Sequence, residues 1–248
     1  MNRDATDLAG VRHKHYDTLG STNAEALALA RDGERGPLWV SAGQQTAGRG
    51  RRGNEWVSPP GNLYATLLVT EPSPPSVAAQ LSFVAGLALR DALTACHATL
   101  DPRLKWPNDV LIGGKKVAGI LIEAENTPRF SVAVGIGVNC TSHPVQTIFP
   151  ATDLKAENLD APAEQVLLLL VRAMGLRIAQ WQAGRGFASI RAEWLRYAAG
   201  LHDAIRVRLP ERELTGQFDG IDETGHLLLK TATGCENIAA GEVFGIGP

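Results

Sequence analysis

Residues 105–139 read KWPNDVLIGGKKVAGILIEAENTPRFSVAVGIGVN, and this stretch decides the fold. Apolar and β-branched runs at 103–106, 110–112, 117–124 and 130–138 alternate with turn signals. The turns are Pro107-Asn108-Asp109, Gly113-Gly114 and Asn126-Thr127-Pro128. Short apolar runs broken at this spacing by Gly, Pro and Asn read as sheet strands, with a hairpin turn at Gly113-Gly114. A run of strands therefore occupies the middle of the chain.

Upstream, 37–43 and 62–70 read as further strands around a Gly/Arg-rich loop at 44–54. Ser21-Thr22-Asn23 precedes an Ala/Leu-rich helix at 24–31 that Asp32-Gly33 ends. Pro72, Pro74 and Pro75 lead into a helix at 77–97, and a helix at 162–182 places Val166, Leu170 and Met174 on one face. Another short helix spans 187–199, whereas residues 1–12 read as a short, poorly ordered lead-in. From about Leu201 the texture changes to alternating segments at 204–209, 212–219 and 225–231. The expected fold class is α+β: a mixed β-sheet with helices packed on it over residues 1–200, then a small all-β unit over 201–248.

The chain has 248 residues, 24 basic and 26 acidic, for a formal net charge of −2. That balance argues against a general nucleic-acid binder, which is strongly basic. Hydrophobic content of 44% allows a sizeable core without disulfide staples. Cys96, Cys140 and Cys235 are odd in number and far apart, as in reduced proteins rather than disulfide frameworks or zinc sites. The first ten residues lack a signal-peptide core, and the longest apolar run, 166–171, falls far short of the roughly 20 residues of a membrane span. The reading is a cytoplasmic protein with no membrane partner.

Three constellations carry chemistry. Gly48-Arg49-Gly50-Arg51-Arg52-Gly53 combines close backbone approach with guanidinium forks suited to phosphate or carboxylate. It has neither Walker nor Rossmann spacing, and taken alone it also fits a solvated basic loop or an RNA contact. In Lys105-Trp106-Pro107-Asn108-Asp109, a lysine ends a strand in a chain with only six lysines, where it can stabilise developing anionic charge. The same residues also describe a surface lysine beside a packing tryptophan. Gly135-Ile136-Gly137-Val138-Asn139 admits a close ligand and offers an amide for an adenine edge, or is a glycine-softened strand with an Asn turn. Cys140 reads as a small core residue, and no His/Cys/Asp pattern suggests a metal.

Taken in order, the motifs resemble those of biotin–protein ligases. The resemblance rests on Ser21-Thr22-Asn23, on Gln45-Thr46-Ala47-Gly48-Arg49-Gly50-Arg51-Arg52-Gly53 with Trp56, and on Lys105-Trp106-Pro107-Asn108-Asp109. It continues through Lys116-Val117-Ala118-Gly119-Ile120-Leu121-Ile122-Glu123, Gly135-Ile136-Gly137-Val138-Asn139, Gly220-Ile221-Asp222 and Gly241-Glu242. The resemblance implies a class II synthetase-like ligase core followed by an SH3-like β-barrel. It implies ATP with magnesium as cosubstrate and ion, biotin as substrate, and no permanently bound cofactor. It also implies two steps: biotinyl-5′-AMP forms, and its acyl group passes to a lysine of the biotin carboxyl carrier protein of acetyl-CoA carboxylase.

The resemblance assigns Lys105 and Arg51 to catalysis, and Ser21, Thr22, Asn23, Gln45, Arg49, Gly50, Arg51 and Lys105 to biotin. It assigns Arg51, Lys105 and Asn139 to the nucleotide, and Trp56, Asn108, Asp109, Lys116 and Gly119 to the site wall. For magnesium it names no protein ligand. Only about 20 residues precede Ser21-Thr22-Asn23, too few for the operator-binding winged helix of bifunctional relatives. The expectation is a monofunctional ligase without nucleic-acid binding, a monomer or weak homodimer. Asn54-Glu55 departs from the family, which often has another basic residue there. Lipoate–protein ligase, of the same fold, is the alternative.

Overall fold

The computed structural model describes residues 3–8, 10–126 and 128–245. An eight-stranded sheet forms from β1 (Arg3–Leu8), β2 (Val11–Leu19), β3 (Leu38–Gln45), β4 (Leu63–Thr70), β5 (Arg103–Lys105), β6 (Asp109–Ile112), β7 (Lys115–Asn126) and β8 (Phe130–Val138). Its spatial order is β1-β2-β3-β4-β8-β7-β6-β5. Only β2 and β3 run parallel; the connection between them is α1 (Thr22–Arg31), as a parallel pair requires a crossover.

The strands expected in residues 105–139 form, and β5, β6, β7 and β8 pair antiparallel in sequence order as a meander. Gly113 and Gly114 take φ of +55° and +75°, the mirror-image turn that matches the twist of β6 and β7. Of the expected turn at 126–128, Thr127 lies outside the described residues.

Period-2 alternation sorts the side chains of the sheet into two layers. On one face Leu38, Val40, Leu68 and Ala133 meet Ala26, Leu27 and Ala30 of α1. On the other, Trp39, Leu67, Val134 and Ile136 join a larger core with α2 (Leu81–Cys96), α3 (Ala163–Trp181) and α4 (Phe187–Arg196). Ten of the sixteen residues of α2 are buried, because the helix lies between the sheet and the other two helices. By length and composition the apolar stretches 75–96 and 163–184 could each cross a membrane; here they are the core helices of this layer. Arg177 of α3 joins the layer by bonding Asp91 of α2 and Glu193 of α4 at 2.6–3.1 Å.

A second, five-stranded antiparallel sheet contains β9 (Ala204–Arg208), β10 (Glu213–Ile221), β11 (Leu227–Thr231), β12 (Gly234–Ile238) and β13 (Glu242–Phe244), ordered β12-β11-β10-β9-β13. Its inner residues Ile205, Val207, Phe218, Leu227 and Leu229 continue the main core rather than forming a separate one. Trp106 fastens the two sheets: its Nε1–H donates to the Gly225 carbonyl at 3.1 Å. Gly225 needs its φ of +97° for the turn, and the Phe83 ring occupies the position of a Cβ.

The lead-in expectation for residues 1–12 is wrong. β1 pairs antiparallel with β2, which begins at Val11. Neither segment has a hydrophobic run to announce it: β1 is the edge strand, and β2 has a single buried residue, His13. His13 and His15 sit inside β2 and hold Ser41 Oγ at 2.7 and 2.8 Å. Burial, and then the neighbouring His15, push the His13 pKa down to about 4, so it is neutral near pH 7. Two further strands, β12 and β13, also escaped the sequence reading; both are short, and β13 has only three residues.

Replacing Trp106 by Phe keeps an aromatic ring but leaves the Gly225 carbonyl unpaired. The expected loss is about 1–3 kcal/mol of unfolding free energy, read as a lower urea midpoint with unchanged slope. An unchanged midpoint would mean that the two sheets do not depend on this bond.

Candidate active site

A cleft enclosing about 990 Å³, open solvent at its mouth included, runs between the carboxyl ends of β3 and β5 and the edge of the second sheet. Its two ends differ chemically. One is neutral and rich in hydrogen-bonding groups, and the other is cationic.

The neutral end begins where β2 stops. Ser21 Oγ caps α1 by accepting from Ala24 N, so Ser21, Thr22 and Asn23 lie at a helix N-terminus facing the cleft. Gln45, the last residue of β3, accepts from Thr22 N at 2.8 Å and from Thr22 Oγ1 at 3.1 Å. Its Nε2 donates to Ser58 Oγ at 3.0 Å, so the orientation of its amide is chemically determined. Asn23 is fixed in the same way. Thr66 Oγ1 donates to its Oδ1 at 2.7 Å, while its Nδ2 donates to Leu121 O at 3.2 Å and Glu123 Oε2 at 2.8 Å.

Strand β8 explains how these groups come so close. A Cβ on Gly135 would lie 2.3 Å from Asn23 Oδ1, and one on Gly137 would lie 2.6 Å from the Trp56 ring. The room that the glycines create is thus filled by side chains of this chain, which then face the ligand space. Trp56 Nε1 is buried without a hydrogen-bond partner among the described residues.

The arginine loop is ordered by its own backbone. Gly50 N donates to Asn54 O at 2.7 Å and Trp56 N to Gly48 O at 3.0 Å, closing a small hairpin over residues 48–56. Arg52 and Gly53 turn the chain with φ of +57° and +77°. Arg49 Nη2 meets Glu123 at 3.1 and 3.3 Å. Arg51, half-buried, reaches Asn108 Oδ1 at 3.5 Å and Gly241 O at 3.4 Å. Burial lowers the Arg51 pKa, with the charge of Arg52 adding to the effect.

Lys105 is 5% exposed at the end of β5. Among the described residues it has no ion-pair partner, because Asp109, opposite it in the ladder, is held by Lys116 at 2.7 Å. Burial brings the Lys105 pKa down to about 8, partly countered by the more distant Asp109. Its Nζ sits 3.0 Å from the centroid of Phe149, a cation–π contact that replaces some lost hydration. Asn108 locks the turn by exchanging bonds with Ile120, 2.7 Å from its Nδ2 and 2.9 Å to its carbonyl.

The structure therefore gathers Ser21, Thr22, Asn23, Gln45, Arg49, Gly50 and Arg51 in one cleft with Trp56, Lys105, Asn108, Asp109, Lys116 and Gly119. Asn139 is not in its lining. It is buried, and its Nδ2 donates to Thr152 O at 3.0 Å, bracing the segment after β8. Cys140 is also buried; its thiol is pushed up to about 12 by burial, as expected of a core residue. The sequence reading missed Phe149, which lies in an irregular segment with no signature, and did not assign Glu123, although it stands within a quoted motif. It also gave no role to Val243, which lines the cleft from the second sheet. No group of three or more His, Cys, Asp or Glu side chains suited to a metal occurs among the described residues.

Residues 22–139 match the model of the biotin/lipoate A/B protein ligase family, and 203–244 match that of the biotin protein ligase C-terminal domain. The chain is 47% identical to a biotin–[acetyl-CoA-carboxylase] ligase of Paracoccus denitrificans, over 90% of this chain and 96% of that protein. It is 31% identical to the bifunctional ligase/repressor BirA of Bacillus subtilis, over 96% of this chain and 75% of that protein. The fold superposes with a TM-score of 0.80 on the biotin protein ligase of Aquifex aeolicus solved with biotin and ATP. That pair is 27% identical, covering 94% of this chain and 97% of the other. By sequence and by fold, the chain belongs to the biotin–protein ligases of the biotin/lipoate A/B family.

Proposed function

We propose that this protein is an ATP-dependent biotin–[acetyl-CoA-carboxylase] ligase whose chemistry runs in the cleft around Lys105. The observation that carries the reading is the pairing, in one cleft, of a neutral amide-lined end with a buried, unpaired ammonium at the other. Biotin has that polarity: a neutral ureido head at one end and a carboxylate at the other. The 47% identity with the Paracoccus ligase supports biotin over lipoate, whose dithiolane ring would leave the polar groups around Thr22, Asn23 and Gln45 without use.

In the first step a biotin carboxylate oxygen attacks the α-phosphorus of ATP. A P–O bond forms to the acyl oxygen, the bond to the β-phosphate bridge breaks, and pyrophosphate leaves. Lys105 lies between the two anions and offsets their repulsion, a contribution largest in a site poor in water. Arg49, Gly50 and Arg51 close over the adenylate and keep water from the anhydride. Ser21, Thr22, Asn23 and Gln45 bind the ureido head. Trp56, Asn108, Asp109, Lys116 and Gly119 shape the wall. Asn139 serves the nucleotide from behind the wall, by fixing the segment that leads to Phe149. In the second step the neutral amine of a carrier lysine attacks the acyl carbon, AMP leaves, and the amine's extra proton goes to solvent.

Magnesium would accompany the ATP phosphates and offset part of their charge; among the described residues no group of three or more His, Cys, Asp or Glu side chains could hold it, and no protein ligand is assigned to it. The carrier is the biotin carboxyl carrier protein, with residues 1–200 as catalytic unit and 201–248 as the second unit. The three unpaired cysteines suit a reducing cytoplasm, and a net charge of −2 suits a protein without nucleic-acid or membrane partners. A monomer or weak homodimer is the proposed state.

Incubation with ATP, magnesium and either acid should yield pyrophosphate with biotin only, and a carrier domain should then gain biotin on lysine. Adenylate from lipoate but not biotin would overturn the assignment. Lys105→Ala should slow adenylate formation by on the order of 10²–10³-fold; near-normal synthesis would remove Lys105 from the chemistry.

The ammonium is the active form of Lys105. The kcat/KM for adenylation should therefore hold below pH 8 and fall as the pH rises through the free-enzyme value of about 8. In Lys105→Arg, which stays charged, whatever activity persists should lack this alkaline limb. A limb unchanged in that variant would assign it to another group. Arg51→Gly should speed escape of the adenylate by about tenfold, the worth of one charge-assisted bond, with a smaller effect on its formation. Retention equal to the parent's would refute that role.

A further inference from the structure

Glu123 does not line the cleft, yet it touches two residues that do. Its Oε2 accepts from Asn23 Nδ2 at 2.8 Å, and both its oxygens meet Arg49 Nη2, at 3.1 and 3.3 Å. One carboxylate on β7 thus joins the start of α1 to the arginine loop, residues 26 apart in the chain and both remote from Glu123.

The two partners depend on it differently. Asn23 could in principle present either face of its amide. The carboxylate and the Leu121 carbonyl can only accept, and so compel Nδ2 to face them, which turns Oδ1 to the Thr66 hydroxyl. For the loop, Glu123 is the short tether. The other side-chain links of the loop arginines are longer: Arg51 at 3.4 and 3.5 Å, and Arg52 to Glu242 at 3.9 Å. Glu123 engages Arg49 through Nη2, and a guanidinium carries five N–H donors, so its grip leaves donors of the fork for a ligand anion.

The contacts form one continuous chain. Ser58 meets Gln45, Gln45 meets Thr22, Thr66 meets Thr22 and Asn23, Asn23 meets Glu123, and Glu123 meets Arg49. A ligand group that hydrogen-bonds at the neutral end must rearrange bonds in this chain. Any donor drawn away from Glu123 at the Asn23 side concentrates its charge on Arg49.

We infer that Glu123 is a positioning residue that couples occupation of the neutral end of the cleft to the set of the arginine loop, holding Arg49 for the adenylate once the head group is bound. The inference rests on the biotin-ligase reading and adds a residue to it. The carboxylate is needed for both contacts at once. A Gln at this position has one acceptor oxygen and can serve Asn23 or Arg49, not both with charge.

The test follows single turnovers on the full chain without carrier. Biotinyl-adenylate is formed from labelled ATP, and its escape is timed. Glu123→Gln should raise the KM for biotin and accelerate escape, each by about tenfold, while kcat for adenylate formation changes by less than about threefold. Glu123→Asp, which keeps the charge on a shorter stem, should recover part of both effects. Arg49→Gln should also accelerate escape, and adding Glu123→Gln to it should add little, because the two act through one bond. Additive effects on escape, or a Glu123→Gln protein with parental KM and escape, would overturn the inference. Far-UV circular dichroism and the urea midpoint accompany each variant. Should Glu123→Gln not fold, Glu123→Asp and the Arg49→Gln retention decide: parental values in both overturn it. A parent protein that makes no adenylate from biotin would instead overturn the ligase reading, and this inference with it.

Discussion

A lysine ammonium buried between two sheets, with no carboxylate partner among the described residues, is the constraint around which this molecule is arranged. Taking an ammonium out of water is expensive, and a protein normally answers with an ion pair. Here the available carboxylate, Asp109, is already held by Lys116 at 2.7 Å, and the face of Phe149 is what Lys105 meets. The charge is left incompletely compensated, and its pKa falls to about 8. An anion entering the cleft recovers what burial costs. That is electrostatic preorganisation: the dipoles and charges are set before the ligand comes, and the fold supplies the energy to set them.

The architecture follows from keeping that arrangement stiff. Lys105 ends a three-residue strand, too short to hold a side chain by itself. It is held because the next residue, Trp106, is driven through the core to the second sheet, and because Leu104 exchanges backbone bonds with Tyr197 and Ala199 at 2.8 Å. The second sheet is therefore no appendage. Its inner face completes the core, while Gly241, Glu242 and Val243 at its edge complete the cleft. The long helices α2 and α3, buried or half-buried along their apolar faces, give the sheet a back that cannot yield without opening the core.

Most of this was legible where local chemistry and tertiary role agree. The strands at 105–139 could be read because they carry apolar runs, most fully buried in β8, and are separated by Gly, Pro and Asn. The edge strand β1 and its neighbour β2 carry no such pattern, since β2, paired with both β1 and β3, has only one buried residue to impose an apolar composition. The site was legible as motifs in order rather than as chemistry. The glycines of Gly135-Ile136-Gly137 were read as space for a ligand, but the space is taken by Asn23 and Trp56. Sequence proximity says that a strand is thin at a given point; only the fold says what lies against it. Phe149 was illegible for the opposite reason, since a single aromatic in a polar stretch acquires its role solely by landing over Lys105.

The net charge of −2 bears on the same point. Three arginines lie within four residues at 49–52, yet each is met by a group from a distant part of the chain: Arg49 by Glu123, Arg51 by Asn108 and the Gly241 carbonyl, Arg52 by Glu242. An uncompensated arginine cluster would repel itself and stay mobile, its charge screened by salt within about 10 Å. Arg49 is tied to Glu123 at 3.1 Å, whereas Arg51 and Arg52 are met at 3.4 to 3.9 Å, so the cluster is held near the cleft by one short contact and several long ones. Arg51 and Arg52 can therefore exchange their long contacts for a stronger partner at small cost, while Arg49 keeps Glu123. The balanced composition of the whole chain thus conceals local pairings of very different strength, and among the described lysines and arginines the most fully buried is the lysine on which the proposed reaction turns.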